Sequence, residues 1–482
     1  MSRVLHRSGA APPSTAVGGE GIRLRLADGR EVIDGSGGAA VACLGHGNRR
    51  VADAIARQAA TMAYAHTGFF TSQPAEELAD FILEGAPGGL THAYFCSSGS
   101  EGTEAALKIA RQYFVEIGEP RRTRFIARRQ SYHGNTLGAL AAGGNTARRK
   151  IYEPVLSDAF SHVSPCFAYR CKQGSESDPQ YIERLAAELE AEFQRLGPES
   201  VIAFLAEPVV GATTGCVTAP PGYFEHIRGV CDRHGALLIL DEVMCGMGRT
   251  GTTHAWEQEG VAPDIQIIAK GLGGGYQPIG GMLVAGRITR AIAAGSGGFM
   301  HGHTYQAHPV ACAGALEVQR IIRDNGLLGN VRTMGRRLEA ALIERLGNHR
   351  YVGDIRGRGL FWAIEFVADR TTKRSFDPAL GLNQLVKQAA LAAGVAIYPM
   401  GGTIDGRKGD HLIVAPPYTA TPAEIDEIVD RLGTGIDAAL AGVERTALTR
   451  NAQDGTDDTN PHHHRLYRPQ EPLRLSGQGS RL

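Results

Sequence analysis

The feature that most constrains this chain is a series of short apolar runs, each stopped by polar or glycine-rich sequence. They fall at residues 92–96, 124–127, 201–206, 236–240, 265–269 and 281–285. Runs this short, apolar without alternation, read as strands buried on both faces. Helical patterns lie between them. From Glu101 to Ile117 the residues Ala106, Ile109, Ala110, Tyr113, Phe114 and Ile117 share one stripe, and 181–196 is a second amphipathic stretch. Strand and helix in alternation predict an α/β fold: a mainly parallel, helix-flanked sheet whose ligands gather beyond the carboxyl ends of its strands.

The same pattern divides the chain into four parts. Residues 1–60 contain a hairpin, 24–26 and 31–33 around Asp28-Gly29, expected to pack with a small C-terminal domain. Residues 61–323 hold the large domain. Residues 324–445 read as a smaller α+β domain, with a long helix rich in Arg, Glu and Leu before strand-like 352–366, 394–399 and 412–417. Residues 446–482 turn to Asp, Asn, Pro, Arg and Ser, which predicts a disordered tail in which the run His462-His463-His464 is incidental.

Charge narrows the partners. Fifty basic residues against fifty acidic ones leave no electrostatic footprint for nucleic acid or an anionic membrane, so small molecules are the expected partners. No charge-free apolar run approaches the roughly 20 residues that a membrane helix needs. Eight cysteines without a CxxC pair fit a reducing compartment. No acid precedes Glu20, but Pro12-Pro13 interrupts any amphipathic targeting helix, so the expected location is cytoplasmic. Sixty-three glycines, nearly twice the ordinary share of about 7%, point to many tight loops and close backbone approaches.

Three motifs stand at strand ends. Ser97-Ser98-Gly99-Ser100-Glu101 lies between a strand and a helix; Ser98 and Glu101 have capping-box spacing, and Gly99 and Ser100 offer bare amides where a helix dipole can hold a phosphate. Asp241-Glu242 closes the run 236–240. Buried carboxylates there must each face a cation or a proton donor, the alternative being a helix cap with a surface ion pair. Lys270 closes the run 265–269. It should lie beside Asp241, on the next strand, where desolvation makes an amine nucleophilic; taken singly, a strand-end lysine is more often a structural ion-pair partner. Two other patterns carry no function. Gly246-Met247-Gly248-Arg249-Thr250-Gly251 matches GxGxxG but follows the acids and precedes no clear strand. His301, His303 and His308 lack a common zinc spacing, so no metal is expected.

A phosphate cup, a strand-end aspartate and a strand-end lysine together make an inventory for pyridoxal phosphate. The chain resembles class III (omega) aminotransferases of the fold-type I pyridoxal-phosphate superfamily, from about Gly18 to about Leu440. Ser98-Gly99-Ser100-Glu101, Tyr132-His133-Gly134, Glu207-Pro208, Asp241-Glu242-Val243, Gly248-Arg249-Thr250-Gly251, Lys270 and Gly302-His303-Thr304-Tyr305 stand in that family's order. The resemblance implies that Lys270 holds the cofactor as an internal aldimine and shuttles the substrate proton, and that Asp241 pairs with the pyridine nitrogen. It further implies that Tyr132 and Val243 cover the two ring faces, that Gly99 and Ser100 bind the phosphate, and that His133 and Glu207 belong to the cofactor site. Thr304 would reach the phosphate of a neighbouring subunit in a homodimer with shared sites; pairing of dimers into a tetramer is left open.

The implied reaction is transamination between an amine or amino-acid donor, including ω-amines, and a 2-oxo acid. Other chemistry on the same cofactor (racemisation, amine mutation, decarboxylation) and a silent binding scaffold are the alternatives. Some relatives pair a glutamate like Glu207 with an arginine like Arg356, which opens to take a substrate carboxylate; that switch is the expectation here. Decarboxylating relatives carry an arginine where this chain has Ile413, and a mobile arginine of other relatives falls at Tyr398, with Arg407 nearby. Tyr64, Phe69 and Phe70 are candidates for an apolar pocket entrance, core packing being the alternative.

Overall fold

A computed structural model describes residues 2–7 and 12–454. Its centre is a seven-stranded sheet in the order Leu90–Cys96, Gly280–Ala285, Ile265–Ile268, Leu237–Asp241, Val201–Ala206, Arg124–Arg128, Phe160–Val163. All run the same way except Gly280–Ala285, which is antiparallel to both neighbours. The central strands Val201–Ala206 and Leu237–Asp241 are buried along their whole length, as an apolar run flanked by helices on both faces must be. Phe160–Val163 escaped the sequence pattern for the complementary reason. It is the edge strand, only half-buried, and carries Ser161 and His162.

The helix Gly99–Glu116 starts where the motif predicts. Ser98 Oγ accepts from Glu101 N at 3.2 Å, and Glu101 Oε2 reaches back to Ser97 N at 2.7 Å. Its first turn lies directly on the antiparallel strand: a Cβ at Gly102 would stand 2.7 Å from Gly281 O, and one at Gly280 would stand 2.5 Å from Ser98 C. Only glycine permits that approach, so the small residues fix the height of the helix start above the sheet edge.

A second, antiparallel sheet orders Val352–Arg358, Phe361–Phe366, Asp410–Val414 and Tyr398–Gly401, covered by Leu327–Leu346, Leu382–Ala392 and Pro422–Asp454. The N-terminal strands Ala16–Glu20, Arg23–Leu26 and Glu31–Asp34 form a third sheet, which Val395–Ala396 joins in parallel. Ile22, Ile33 and Leu44 thereby share one core with Val331, Trp362 and Ile436. The GxGxxG stretch is a run of turns with a tethering role: buried Arg249 donates to Leu360 O at 3.0 Å and Pro416 O at 2.6 Å and lies 4.6 Å from the Tyr418 ring centroid.

The last helix continues past the expected boundary at 445, because Glu444, Arg445, Ala447 and Leu448 are helix formers whatever their polarity. The rest of the expected tail, with His462-His463-His464, lies outside the described residues. Among the described residues no helix is long and apolar enough to cross a membrane.

The tight seat of the helix start is testable. Gly102→Ala forces a methyl against Gly281 O and should destabilise the fold by about 1–3 kcal/mol, seen as a lower urea midpoint; an unchanged midpoint would show that the helix can lift without cost.

Candidate active site

Asp241 and Lys270 meet because their strands do. Leu237–Asp241 and Ile265–Ile268 pair in parallel with Asp241 opposite Ile267, so both chains leave the sheet at the same edge. There a cavity of about 420 Å³ is lined by Gly99, Ser100, Tyr132, His133, Glu207, Asp241, Val243 and Lys270 together. The same cavity is lined by residues that sequence reading passed over: Val41, Met244, Gln277, Pro278 and Ile279. Most of these sit on turns between elements, where no periodicity marks an inward-facing side chain.

Lys270 takes a left-handed backbone conformation, φ +44°, which is strained for a residue with a Cβ and which turns the chain from strand into the short helix Lys270–Leu272. Burial pushes its ammonium below the ordinary lysine value, against the opposing pull of the Asp241 and Glu207 carboxylates. Asp241 accepts from Val243 N at 3.0 Å and bonds His133 Nδ1 at 2.8 Å, while His133 Nε2 is buried without a partner. Glu207 is held by two backbone amides, Tyr132 N at 3.1 Å and Gly211 N at 2.8 Å; burial, assisted by nearby Asp241, raises its pKa.

The two adjacent acids divide their work. Glu242 faces away from the cavity and accepts from Ala255 N, Trp256 N and the Gln266 amide at 2.7, 2.7 and 2.9 Å; burial pushes its pKa up to about 8. It is the cap anticipated as one alternative, and Asp241 is the cavity acid.

The phosphate-cup motif and the Tyr132 loop are stapled together. Ser100 Oγ accepts from Asn135 N at 3.1 Å and Thr103 Oγ1 donates to His133 O at 2.7 Å. Gly134, at φ +132°, passes so close that a Cβ there would stand 2.6 Å from Ser100 Oγ. On the other side Gly99 abuts Val243, with 2.9 Å from an added Cβ to Val243 Cγ2.

Three expected residues, Arg356, Tyr64 and Phe69, lie away from this cavity, as does Thr304, whose expected place is the site of a neighbouring subunit. Arg356 does not pair with Glu207. It is bound to Glu365 and Asp354, each at 2.7 Å, donates to Gly215 O at 2.7 Å and to Thr214 O, and lies 4.7 Å from the Phe167 ring centroid. Both members of the expected switch are therefore saturated by other partners. Tyr64, Phe69 and Thr304 do not line the cavity either. Tyr64 is 41% exposed and donates to Thr304 O at 3.0 Å, Phe69 is 81% exposed, and Thr304 sits on an exposed turn. Their neighbours Tyr305 and His308 line a second cavity, which shares Ser97, Gln277, Pro278 and Ile279 with the first. Arg407 is exposed, Ile413 is packed in an apolar cluster, and Tyr398 packs on that cluster beside Met244.

Residues 6–436 match the family model for class-III aminotransferases. An uncharacterised aminotransferase of Schizosaccharomyces pombe is 50% identical over 431 residues, covering 89% of this chain and 94% of that one. A diaminobutyrate–2-oxoglutarate transaminase of Halomonas elongata is 35% identical over 449 residues, covering 92% and 94%. A solved amine transaminase from an uncultivated Pseudomonas species, in its pyridoxal-phosphate-bound (internal aldimine) form, has 34% identity and a TM-score of 0.86 over 91% of this chain and 99% of that one.

The relocation of Arg356 has a direct consequence. Arg356→Ala leaves Glu365, which is fully buried and also paired with Arg170, short of one cation; the fold should lose about 3–5 kcal/mol, read as a fall in the urea midpoint. A variant as stable as the parent would return Arg356 to the list of substrate-binding candidates.

Proposed function

The chain belongs to the class-III aminotransferases, pyridoxal-phosphate enzymes of fold type I that transfer an amino group from a donor to an acceptor, and on that footing we propose that Lys270 is the amine on which its catalysis turns. The observation that carries the proposal is the shared edge: one desolvated amine and one doubly held carboxylate lining a single cavity at the ends of paired strands.

The residues present fit the cofactor. Lys270 Nζ has no ion-pair partner within the described residues, Asp241 still lines the cavity after engaging His133, and Gly99 and Ser100 begin a long helix whose first amides have no intrahelical acceptor. Lys270 would hold the aldehyde carbon, Asp241 the pyridine nitrogen, and Gly99 and Ser100 the phosphate, with Tyr132 and Val243 on the ring faces. When bound, pyridoxal phosphate supplies a reactive aldehyde and a ring that draws electrons from the carbon that loses a proton.

The chain's own residues do the rest. With its pKa lowered by burial, Lys270 Nζ is deprotonated at a lower pH than an exposed lysine, so more of it is available both to attack a carbonyl and to lift and return the proton at the substrate carbon. His133 fixes the Asp241 carboxylate from behind, and Val243 N fixes its other oxygen. Glu207 anchors the Tyr132 backbone and so the plane of its ring. Substrates are an amine or amino-acid donor, ω-amines included, and a 2-oxo acid acceptor.

We further propose a cytosolic homodimer. Phe69, Phe70, Met300 and Tyr305 are 81, 66, 80 and 59% exposed around Thr304, an apolar edge that a second copy would cover. Thr304 would then complete the phosphate cup of the partner, and Tyr64 and Phe69 would border the partner's cavity. All eight cysteines are free thiols, which suits a reducing compartment.

Two measurements test these proposals. The purified protein should absorb visible light; an amine donor alone should bleach the band and a 2-oxo acid restore it, while Lys270→Ala should lower turnover by at least about a hundredfold. Failure of the 2-oxo acid to restore the band would indicate racemisation, amine mutation or decarboxylation instead, and a Lys270→Ala protein as fast as the parent would remove Lys270 from its role. Sedimentation should give twice the mass of the chain, and Phe69→Asp should shift it toward monomer with loss of activity; a fully active monomer would refute the shared site.

A further inference from the structure

Every 2-oxo acid brings a carboxylate to this cavity, yet the lining contains Asp241, Glu207 and a single amine, and no arginine. The anion must therefore meet a cation at the rim, and most arginines nearby are already committed. Arg128 donates to Glu207 O, Arg249 to the Leu360 and Pro416 carbonyls, and Arg356 to Glu365 and Asp354. Arg149 gives its guanidinium to the carbonyls of Ala141 and Gly143, at 2.5 and 2.8 Å, at the end of the helix Leu137–Ala142.

Arg148, next in the chain, is different. Its guanidinium carbon lies 4.7 Å from the centroid of the Tyr132 ring, and Tyr132 lines the cavity. It is half-buried, and among the described residues its one hydrogen bond is made by its backbone amide, to Asn145 Oδ1. A guanidinium stacked on a ring keeps its N–H edge free, and that planar fork matches a carboxylate with two parallel hydrogen bonds.

We infer that Arg148 is the anion-recognising residue of this enzyme: stacked on Tyr132, whose ring lines the cavity, it takes the carboxylate, or another anionic group, of donor and acceptor. This makes the preferred donors amines that carry a negative charge. The inference rests on the transamination proposed for this cavity. Two further observations agree with it. The Tyr132 phenol, raised by burial, is pulled back by the nearby charges of Arg148 and of Arg7 in the N-terminal segment. Tyr398 also acts on Tyr132, from the position where some relatives are expected to carry a mobile arginine.

The test uses the holoenzyme and its Arg148→Ala, Arg148→Lys and Arg7→Ala variants. Bleaching by β-alanine and by propylamine, which lacks the carboxylate, is followed in the half-reaction without acceptor. In Arg148→Ala the ratio of the two kcat/KM values should fall about 10- to 100-fold, and Arg148→Lys should recover part of it. Calorimetry then measures butyrate, an unreactive carboxylate, whose Kd should weaken by a similar factor in Arg148→Ala. An unchanged ratio with unchanged butyrate affinity, or a loss confined to Arg7→Ala, overturns the inference. Butyrate binding needs no turnover, so it still decides the role of Arg148 if no donor bleaches the protein, the outcome that would defeat the transamination proposal.

Discussion

The site depends on a single enforced proximity: two neighbouring parallel strands stop together, so an ammonium and a carboxylate must lose water in the same cavity. Neither group is comfortable there alone, since desolvation penalises both charges. The fold answers asymmetrically. Asp241 receives a histidine and a backbone amide, whereas the Lys270 amine has no hydrogen-bond partner among the described residues and has its pKa lowered. That asymmetry, a well-held acid beside an under-held base, suits a reaction in which the lysine must exchange bonds and the aspartate must stay put. The left-handed turn at Lys270 belongs to the same arrangement, because backbone strain of this kind persists only where the surroundings over-determine it.

Around this pair the structure spends its glycines on distance. Gly102, Gly134 and Gly280 each sit where a methyl would collide with backbone or with Ser100, and together they draw the helix start, the Tyr132 loop and the antiparallel strand into one wall. Substituting any of them would move a cavity wall and not just loosen a loop. The buried network Arg170–Glu365–Arg356–Asp354 does comparable work for the smaller antiparallel sheet, binding it to the Thr214-Gly215 turn that follows Glu207.

Much of this was legible in the sequence wherever burial on two faces wrote a continuous apolar run. All six runs coincide with strands to within two residues at either end, and 236–240 closes on Asp241 as the motif required. The edge strand Phe160–Val163 was invisible because one solvated edge admits Ser and His. Spacing also picked out the motifs at strand ends and at a helix start, Ser97-Glu101, Asp241-Glu242 and Lys270, because those positions are tied to elements that leave a pattern, whereas Tyr132, His133, Glu207 and Arg356 were offered by resemblance alone. It failed for Arg356, where the choice of partner is made in three dimensions: Glu365 lies on the adjacent strand, opposite neither Glu207 nor the cavity, and nothing linear distinguishes one glutamate from the other. Tyr64 and Phe69 stand outside the cavity of their own chain for a related reason, because side chains that finish on an exposed edge of one chain have no signature apart from those that enter a core.

Charge placement ties these results together. This chain has equal numbers of acids and bases, so an arginine with no ion pair among the described residues, set on a ring that lines the cavity, is a local decision, not a surplus. Arg148 and Arg149 are adjacent and chemically identical, yet Arg149 closes a helix end through three carbonyl contacts while Arg148 lies on an aromatic ring with no side-chain hydrogen bond among the described residues. A half-buried guanidinium gains from stacking only part of what it loses in hydration, and an incoming carboxylate supplies the remainder. With Asp241 and Glu207 lining the cavity, a substrate anion brought close to either carboxylate would be repelled. The rim above Tyr132 is therefore where electrostatics permits a negatively charged substrate to be gripped while its reacting carbon stays near Lys270.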